Sequence, residues 1–316
     1  MPVDSQVQAL LDMMAAAGGA PLSLDTLAAT REGFGLLVAM TAGNGAESVT
    51  VTEPFIAGPH GDIPIRVYAS EPRPGSGSRG AVLFIHGGGW TIGTAAAYDP
   101  IAKMVAQGAD VVVVSVDYRL APEHPFPIPY DECWAALEWV SANHESIGAD
   151  DRLAVMGDSA GGNLAAVLAQ RAHAAGGPRL DVQILVYPVT DFDLDRGSYL
   201  DNATGYFLER ETMRFFWNCY AGSGVDRRDA RVAPLHASSL AGLPRTLVIT
   251  AEFDPLRDEG EAYAAALSAA GVEVEFTRYD GMIHGFFMMP TAISAGAQAI
   301  EQATQVIRRA FGTLDN

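Results

Sequence analysis

The chain is almost without lysine. Lys103 is its single lysine in 316 residues, and 20 Lys and Arg stand against 38 Asp and Glu, for a net charge of −18. No basic cluster exists to neutralise phosphates, which argues against nucleic acid or an anionic membrane as a partner. Cysteine is equally scarce. Cys133 and Cys219 are far apart and lack metal-site spacing, so neither a disulfide framework nor a metal centre is expected. Two free thiols suit a reducing, cytoplasmic setting. No run approaches the roughly 18 apolar residues that a membrane span requires. The opening residues carry Asp4 and Asp12 and no basic stretch, and so do not read as a secretory leader. What remains is an ordinary globular composition, 49% hydrophobic and 18% charged. It is long enough for one large α/β domain or two smaller ones.

The hydrophobic pattern alternates between two periods. Val7, Leu10, Leu11 and Met14 recur at helical spacing, and a second helical segment follows over about 24–40. Strand-like segments at 49–56 and 63–69 flank Gly61-Asp62, which reads as a hairpin turn. Six β runs come next: Ala81–Ile85, Val111–Val116, Leu153–Met156, Val182–Tyr187, Thr246–Thr250 and Val272–Arg278. Most are near-continuously apolar, as strands buried on both faces should be. Helices are expected between most of them, at about 97–108, 130–145, 161–175, 258–270 and 293–311. This alternation implies an α/β fold: an eight-stranded, mostly parallel sheet with helices on both faces. More than 50 residues separate Pro188 from Thr246, too many for a simple crossover. Tyr206, Phe207, Leu208, Phe215, Phe216, Trp217 and Tyr220 fall there. That stretch reads as an inserted helical cap, whose aromatics are either core packing or the wall of a pocket. The expected division is cap helices at 1–45, a catalytic domain in two parts at 46–189 and 239–316, and the cap insertion at 190–238.

Four constellations carry chemistry. Gly157-Asp158-Ser159-Ala160-Gly161 lies between a strand and a helix, the context of a nucleophile elbow. A bare G-x-S-x-G carries little information, but strand before and helix after sharpen it. His86-Gly87-Gly88-Gly89-Trp90 follows the third strand, and its glycines leave backbone N–H groups open for an oxyanion. Gly88 and Gly89 are the expected donors, with the N–H of Ala160 as the third. His86 reads as a residue that orients this loop. Asp254 follows the strand at Thr246–Thr250, held extended before Pro255. Asp258 competes for the role of acid, but its place at a helix start is explained by capping and dipole effects. His284, between Gly281 and Gly285, follows both the serine and the acid, and completes the order Ser, Asp, His. Gly75 to Gly80 matches G-x-G-x-x-G literally, but a strand follows where a dinucleotide site needs a helix. His144-Glu145 lacks the second histidine of a zinc motif.

Together these segments resemble the hormone-sensitive lipase-like branch of the α/β-hydrolases. The matching residues are His86–Trp90, Asp117–Glu123, Gly157–Gly162, Asp254–Asp258 and Asp280–Phe286, in family order. The resemblance implies a carboxylic ester hydrolase that needs no cofactor or metal. Ser159 would be the nucleophile, His284 the base and Asp254 its orienting acid, working through an acyl-enzyme. Trp90, Asp158, Phe207 and Leu208 are the expected substrate contacts. The family implies small-molecule esters of short to medium acyl chain, and many of its members are homodimers. An amidase or deacetylase with the same triad is the alternative reading. A non-catalytic binding homologue is a weaker one, because His284 is present.

Overall fold

The computed structural model describes residues 2–18, 21–71 and 78–313. The literal glycine match at 75–80 begins outside the described residues. Its strands are β1 (Val49–Thr52), β2 (Phe55–Ile56), β3 (Ile63–Ser70), β4 (Ala81–Ile85), β5 (Val112–Val116), β6 (Leu153–Asp158), β7 (Val182–Val186), β8 (Arg245–Phe253) and β9 (Val274–Ile283). Its helices are α1 (Ser5–Ala17), α2 (Leu27–Ala42), α3 (Asp99–Ala109), α4 (Ile128–Asn143), α5 (Ala160–Ala175), α6 (Gly197–Asp201), α7 (Arg210–Tyr220), α8 (Arg257–Ala269) and α9 (Ser294–Ala310). The sheet order is β1-β3-β5-β4-β6-β7-β8-β9, parallel from β5 onward. β3 runs antiparallel to β1, β2 and β5.

Three details differ from the sequence pattern. The first expected strand is two strands, because Glu53-Pro54 interrupts it. Proline has no N–H to give a ladder, and both pieces pair with β3. The count is therefore nine among the described residues, eight of them in the continuous order. β8 and β9 run past their apolar stretches to Phe253 and Ile283. Glu252, Arg278 and Asp280 interrupt the hydrophobic signal there. A register shift between Ala251 and Phe253 marks where the two strands lose regular pairing.

The central strands are buried on both faces, and alternate residues feed different cores. In β4, Leu83 and Ile85 pack on the side of α4 and α5, while Val82 and Phe84 pack on the side of α3 and α9. β5 divides in the same way, with Val112 and Val114 on the first side and Val113 on the second. Ile300, Ala303 and Ile307 form the buried face of α9, as their spacing predicts, with Phe311 packed just past its end. Among the described residues no helix is long and apolar enough to cross a membrane. Leu83 has no exposed surface. Leu83→Ala should cost about 2–5 kcal/mol, through lost burial and the cavity left behind. Urea unfolding would read this as a lower midpoint at unchanged slope. A loss below about 1 kcal/mol would show that the centre of the sheet can collapse around the gap.

Candidate active site

The site lies at the carboxyl ends of β4, β6, β8 and β9. β6 ends at Asp158, and α5 starts at Ala160, which leaves Ser159 alone at the turn. Its φ of 55° and ψ of −119° are rare for a residue with a side chain. The glycines around it are required by space. A Cβ on Gly157 would lie 2.3 Å from the carbonyl oxygen of Gly161. A Cβ on Gly161 would lie 2.0 Å from that of Ile85. Only hydrogen fits at either position.

Ser159, His284 and Asp254 meet in one hydrogen-bonded line. His284 Nε2 is 2.9 Å from Ser159 Oγ, and its Nδ1 is 2.8 Å from Asp254 Oδ2. A carboxylate can only accept, so Nδ1 carries the proton and Nε2 is left to accept from the serine hydroxyl. Asp254 is fully buried, and its other oxygen accepts from the N–H of Leu256 at 2.8 Å. Both oxygens are thereby aimed. Asp258 faces elsewhere: its carboxylate accepts from Ser198 N and Arg257 Nε, each at 2.8 Å. It pins the inserted segment to the start of α8.

The glycine loop is set by hydrogen bonds to its carbonyls. His86 Nδ1 is 2.8 Å from the Gly87 carbonyl oxygen and must donate to it. In a trans peptide the C=O and the following N–H point in opposite directions. Holding the Gly87 carbonyl therefore aims the Gly88 N–H. The Gly88 carbonyl accepts from Thr91 N at 3.0 Å and Ile92 N at 2.9 Å, which aims the Gly89 N–H in the same manner. No acceptor for the N–H groups of Gly88, Gly89 or Ala160 occurs among the described residues. His86 is wholly buried and stacks on Tyr118 at 4.4 Å. Burial pushes its pKa down, against the pull of Asp117 and the Gly87 bond, and so favours the neutral ring. The Tyr118 hydroxyl donates to the His86 carbonyl at 2.9 Å.

Asp158 joins the elbow to this loop. Its Oδ1 accepts from Gly87 N at 2.8 Å, and its Oδ2 from the Tyr98 hydroxyl at 3.0 Å. Burial raises its pKa to about 6, although the bonds from Tyr98 and Gly87 and the nearby His284 oppose the rise.

A cavity of about 550 Å³ opens on the serine. Gly88, Gly89, Asp158, Ser159 and His284 are on its floor. Met14 from α1 and Thr30, Gly33, Phe34 and Leu37 from α2 form one wall. Phe207, Leu208, Thr212 and Phe216 form another. The structure thus places Asp158, Phe207 and Leu208 at the cavity, but not Trp90. The Trp90 ring is fully buried, stacked on Tyr220 at 4.2 Å with Trp217 at 4.9 Å, where it fastens α7 beneath the glycine loop. The aromatic insert therefore serves both purposes left open by its sequence: Phe207 and Phe216 face the cavity, while Trp217 and Tyr220 are core. Tyr98 and Phe34 carry no motif, and only their place in the fold brings them to the site. Among the described residues no cluster of three or more His, Cys, Asp or Glu could hold a metal ion.

Comparisons with known proteins place the whole chain in a family. The family described as alpha/beta hydrolase fold matches residues 82–288. The carboxylesterase NlhH of Mycobacterium tuberculosis is 44% identical over 255 residues, 79% of each chain. The ester-hydrolase EH1AB1 from the metagenome of Lake Arreo superposes with a TM-score of 0.93 at 40% identity, covering 98% of this chain and all of the other. A thermostable esterase from Pseudomonas putida gives a TM-score of 0.90 at 36% identity, over 100% of this chain and 98% of its own. The chain belongs to the α/β-hydrolases, in their hormone-sensitive lipase-like branch. Within that branch it is a carboxylesterase, with ester hydrolysis the activity common to these relatives.

The Asp158 carboxyl supplies a pH test. Its folded pKa of about 6 stands above the ordinary 3.8. The native state therefore keeps a proton between pH 4 and 6 that the unfolded chain releases, and the stability from this group falls as pH rises through that window. A displacement of about two pH units corresponds to about 3 kcal/mol. Asp158→Asn keeps an acceptor for Gly87 and removes the charge. Its stability relative to the parent should climb by about 2–3 kcal/mol from pH 4 to 7 and then level off. A difference that is flat with pH in urea titrations would contradict the burial argument.

Proposed function

We propose that the chain hydrolyses small-molecule carboxylic esters through an acyl-enzyme on Ser159. The observation that carries this reading is the Asp254–His284–Ser159 line, opening on an apolar cavity beside three N–H groups that find no acceptor among the described residues. In this reaction His284 Nε2 takes the hydroxyl proton as Oγ attacks the ester carbonyl. The N–H groups of Gly88, Gly89 and Ala160 receive the negative oxygen. The dipole of α5 favours the same charge. As the tetrahedral centre collapses, the C–O bond to the alcohol breaks and Nε2 returns the proton to the leaving oxygen. Water then enters, gives a proton to Nε2 and attacks the acyl carbon. Collapse releases the acid and restores the serine hydroxyl. Asp254 keeps the ring in one tautomer and stabilises its charged form.

Residues 1–45 and 190–238 act in this reading as a cap that encloses the substrate. Their side chains supply most of the apolar wall, and a cavity of about 550 Å³ holds a short to medium acyl chain within it.

A fluorophosphonate probe should label a single tryptic peptide, the one bearing Ser159. Ser159→Ala and His284→Ala should each lower turnover of nitrophenyl butyrate by about 10⁶-fold. Asp254→Asn should lose about 10⁴-fold. Labelling elsewhere, or full activity in Ser159→Ala, would end this assignment. Asp258→Asn should stay within about tenfold of the parent, because it orients no catalytic ring; a loss matching that of Asp254→Asn would reverse the choice of acid. Matched esters and amides distinguish this reading from an amidase by the ratio of kcat/KM.

A further inference from the structure

One face of α2 is a cavity wall. Thr30, Gly33, Phe34 and Leu37 line it, at the spacing of neighbours along a single helical face. Three of the four present side chains, and Gly33 presents none. Neither backbone nor packing requires glycine there. Its φ is not in the left-handed region, so other residues could adopt the same conformation. A Cβ built on it meets nothing within 4 Å among the described residues. Glycine inside a helix also weakens that helix relative to almost any alternative. Gly35 is equally free of neighbours, but it does not line the cavity.

The helix is tied down on both sides of Gly33. Arg31 Nε donates to the Thr91 carbonyl at 2.9 Å, Nη2 donates to the Ala121 carbonyl at 3.1 Å, and the guanidinium pairs with Glu123 at 2.7 Å. Further along, the Thr41 carbonyl accepts from the N–H and the hydroxyl of Thr291, at 3.0 and 2.7 Å. Gly33 is exposed between these anchors, at the rim of the cavity. The rest of this wall is uncharged, with Phe34, Leu37 and Met14 around the gap.

We propose that Gly33 is a specificity-determining opening in the cavity wall. Its missing side chain leaves a port through which one unbranched aliphatic chain of the ester passes from the buried serine towards the surface. The proposal rests on the ester-hydrolase reading and assigns it a substrate class: esters with one linear chain that outruns the cavity. The two anchors keep α2 in place, so a side chain introduced at 33 would narrow the port and could not be accommodated by displacement of the helix.

Gly33→Leu tests this, with Gly35→Leu as the control that changes helix propensity equally without touching the wall. Measured from nitrophenyl acetate to octanoate and from methyl to octyl acetate, kcat/KM of Gly33→Leu should fall by about tenfold or more on the longest member of at least one series. The fall should grow along the series and be smallest on the shortest esters, and Gly35→Leu should keep the parental profile. An unchanged profile in Gly33→Leu, or an equal shift in both variants, overturns the port. Kd for the same esters, measured with Ser159→Ala added to each chain, reads the port without chemistry. A Gly33→Leu shift in Kd alongside a parent that turns over no ester would uphold the port and remove the hydrolytic reading. Unmoved profiles in an active enzyme would do the reverse.

Discussion

The carbonyl of Ile85 sits so close to the first turn of α5 that nothing larger than hydrogen fits at position 161. The active site depends on that approach. β4 and β6 are parallel neighbours, with Ile85 opposite Gly157, so the glycine loop and the nucleophile turn leave the sheet side by side. The closeness forces Ser159 into a positive φ, a conformation that costs energy and is kept only because strand and helix on either side dictate it. The reward is a hydroxyl clear of both elements and an N–H at position 160 with no partner inside the helix.

Two buried carboxylates share this end of the sheet, and their surroundings divide their work. Asp254 has one oxygen on His284 and the other on a backbone N–H, so it orients an imidazole. Asp158 has one oxygen on Gly87 N and the other on Tyr98, so it holds the loop that His86 shapes from the other side. The Asp117-Tyr118-Arg119 run stands behind both. Asp117 accepts from Ala95 N at 2.9 Å, Tyr118 supports His86, and Arg119 N bonds to the buried Glu132 at 2.8 Å.

Much of this could be read from the chain, for identifiable reasons. Strands β4 to β7 are buried on both faces and so leave near-continuous apolar runs. The glycines at 88, 157 and 161 are demanded by backbone geometry or close approach, and such demands leave a residue-level trace. What was not legible depends on tertiary contact. Trp90 adjoins the glycine loop in sequence, yet its ring turns into the core against Tyr220. Tyr98 and Arg31 act through partners 60 or more residues away, Asp158 and Thr91. β9 is an edge strand, and one side of it meets water, so charged residues at 275, 278 and 280 break its apolar run before its last three residues are buried.

The order of the strands also separates the parts of the site in folding terms. Ser159 and the glycine loop follow β6 and β4, in the middle of the sheet, whereas Asp254 and His284 follow the ends of β8 and β9, the last two strands on one side. A chain whose sheet had assembled only as far as β7 would lack the Asp254–His284 pair that the proposed reaction uses to take the serine's proton. In the proposed reaction, activity therefore signals that the edge of the sheet has docked, and the competence of the centre is set by the strands that come last in sequence.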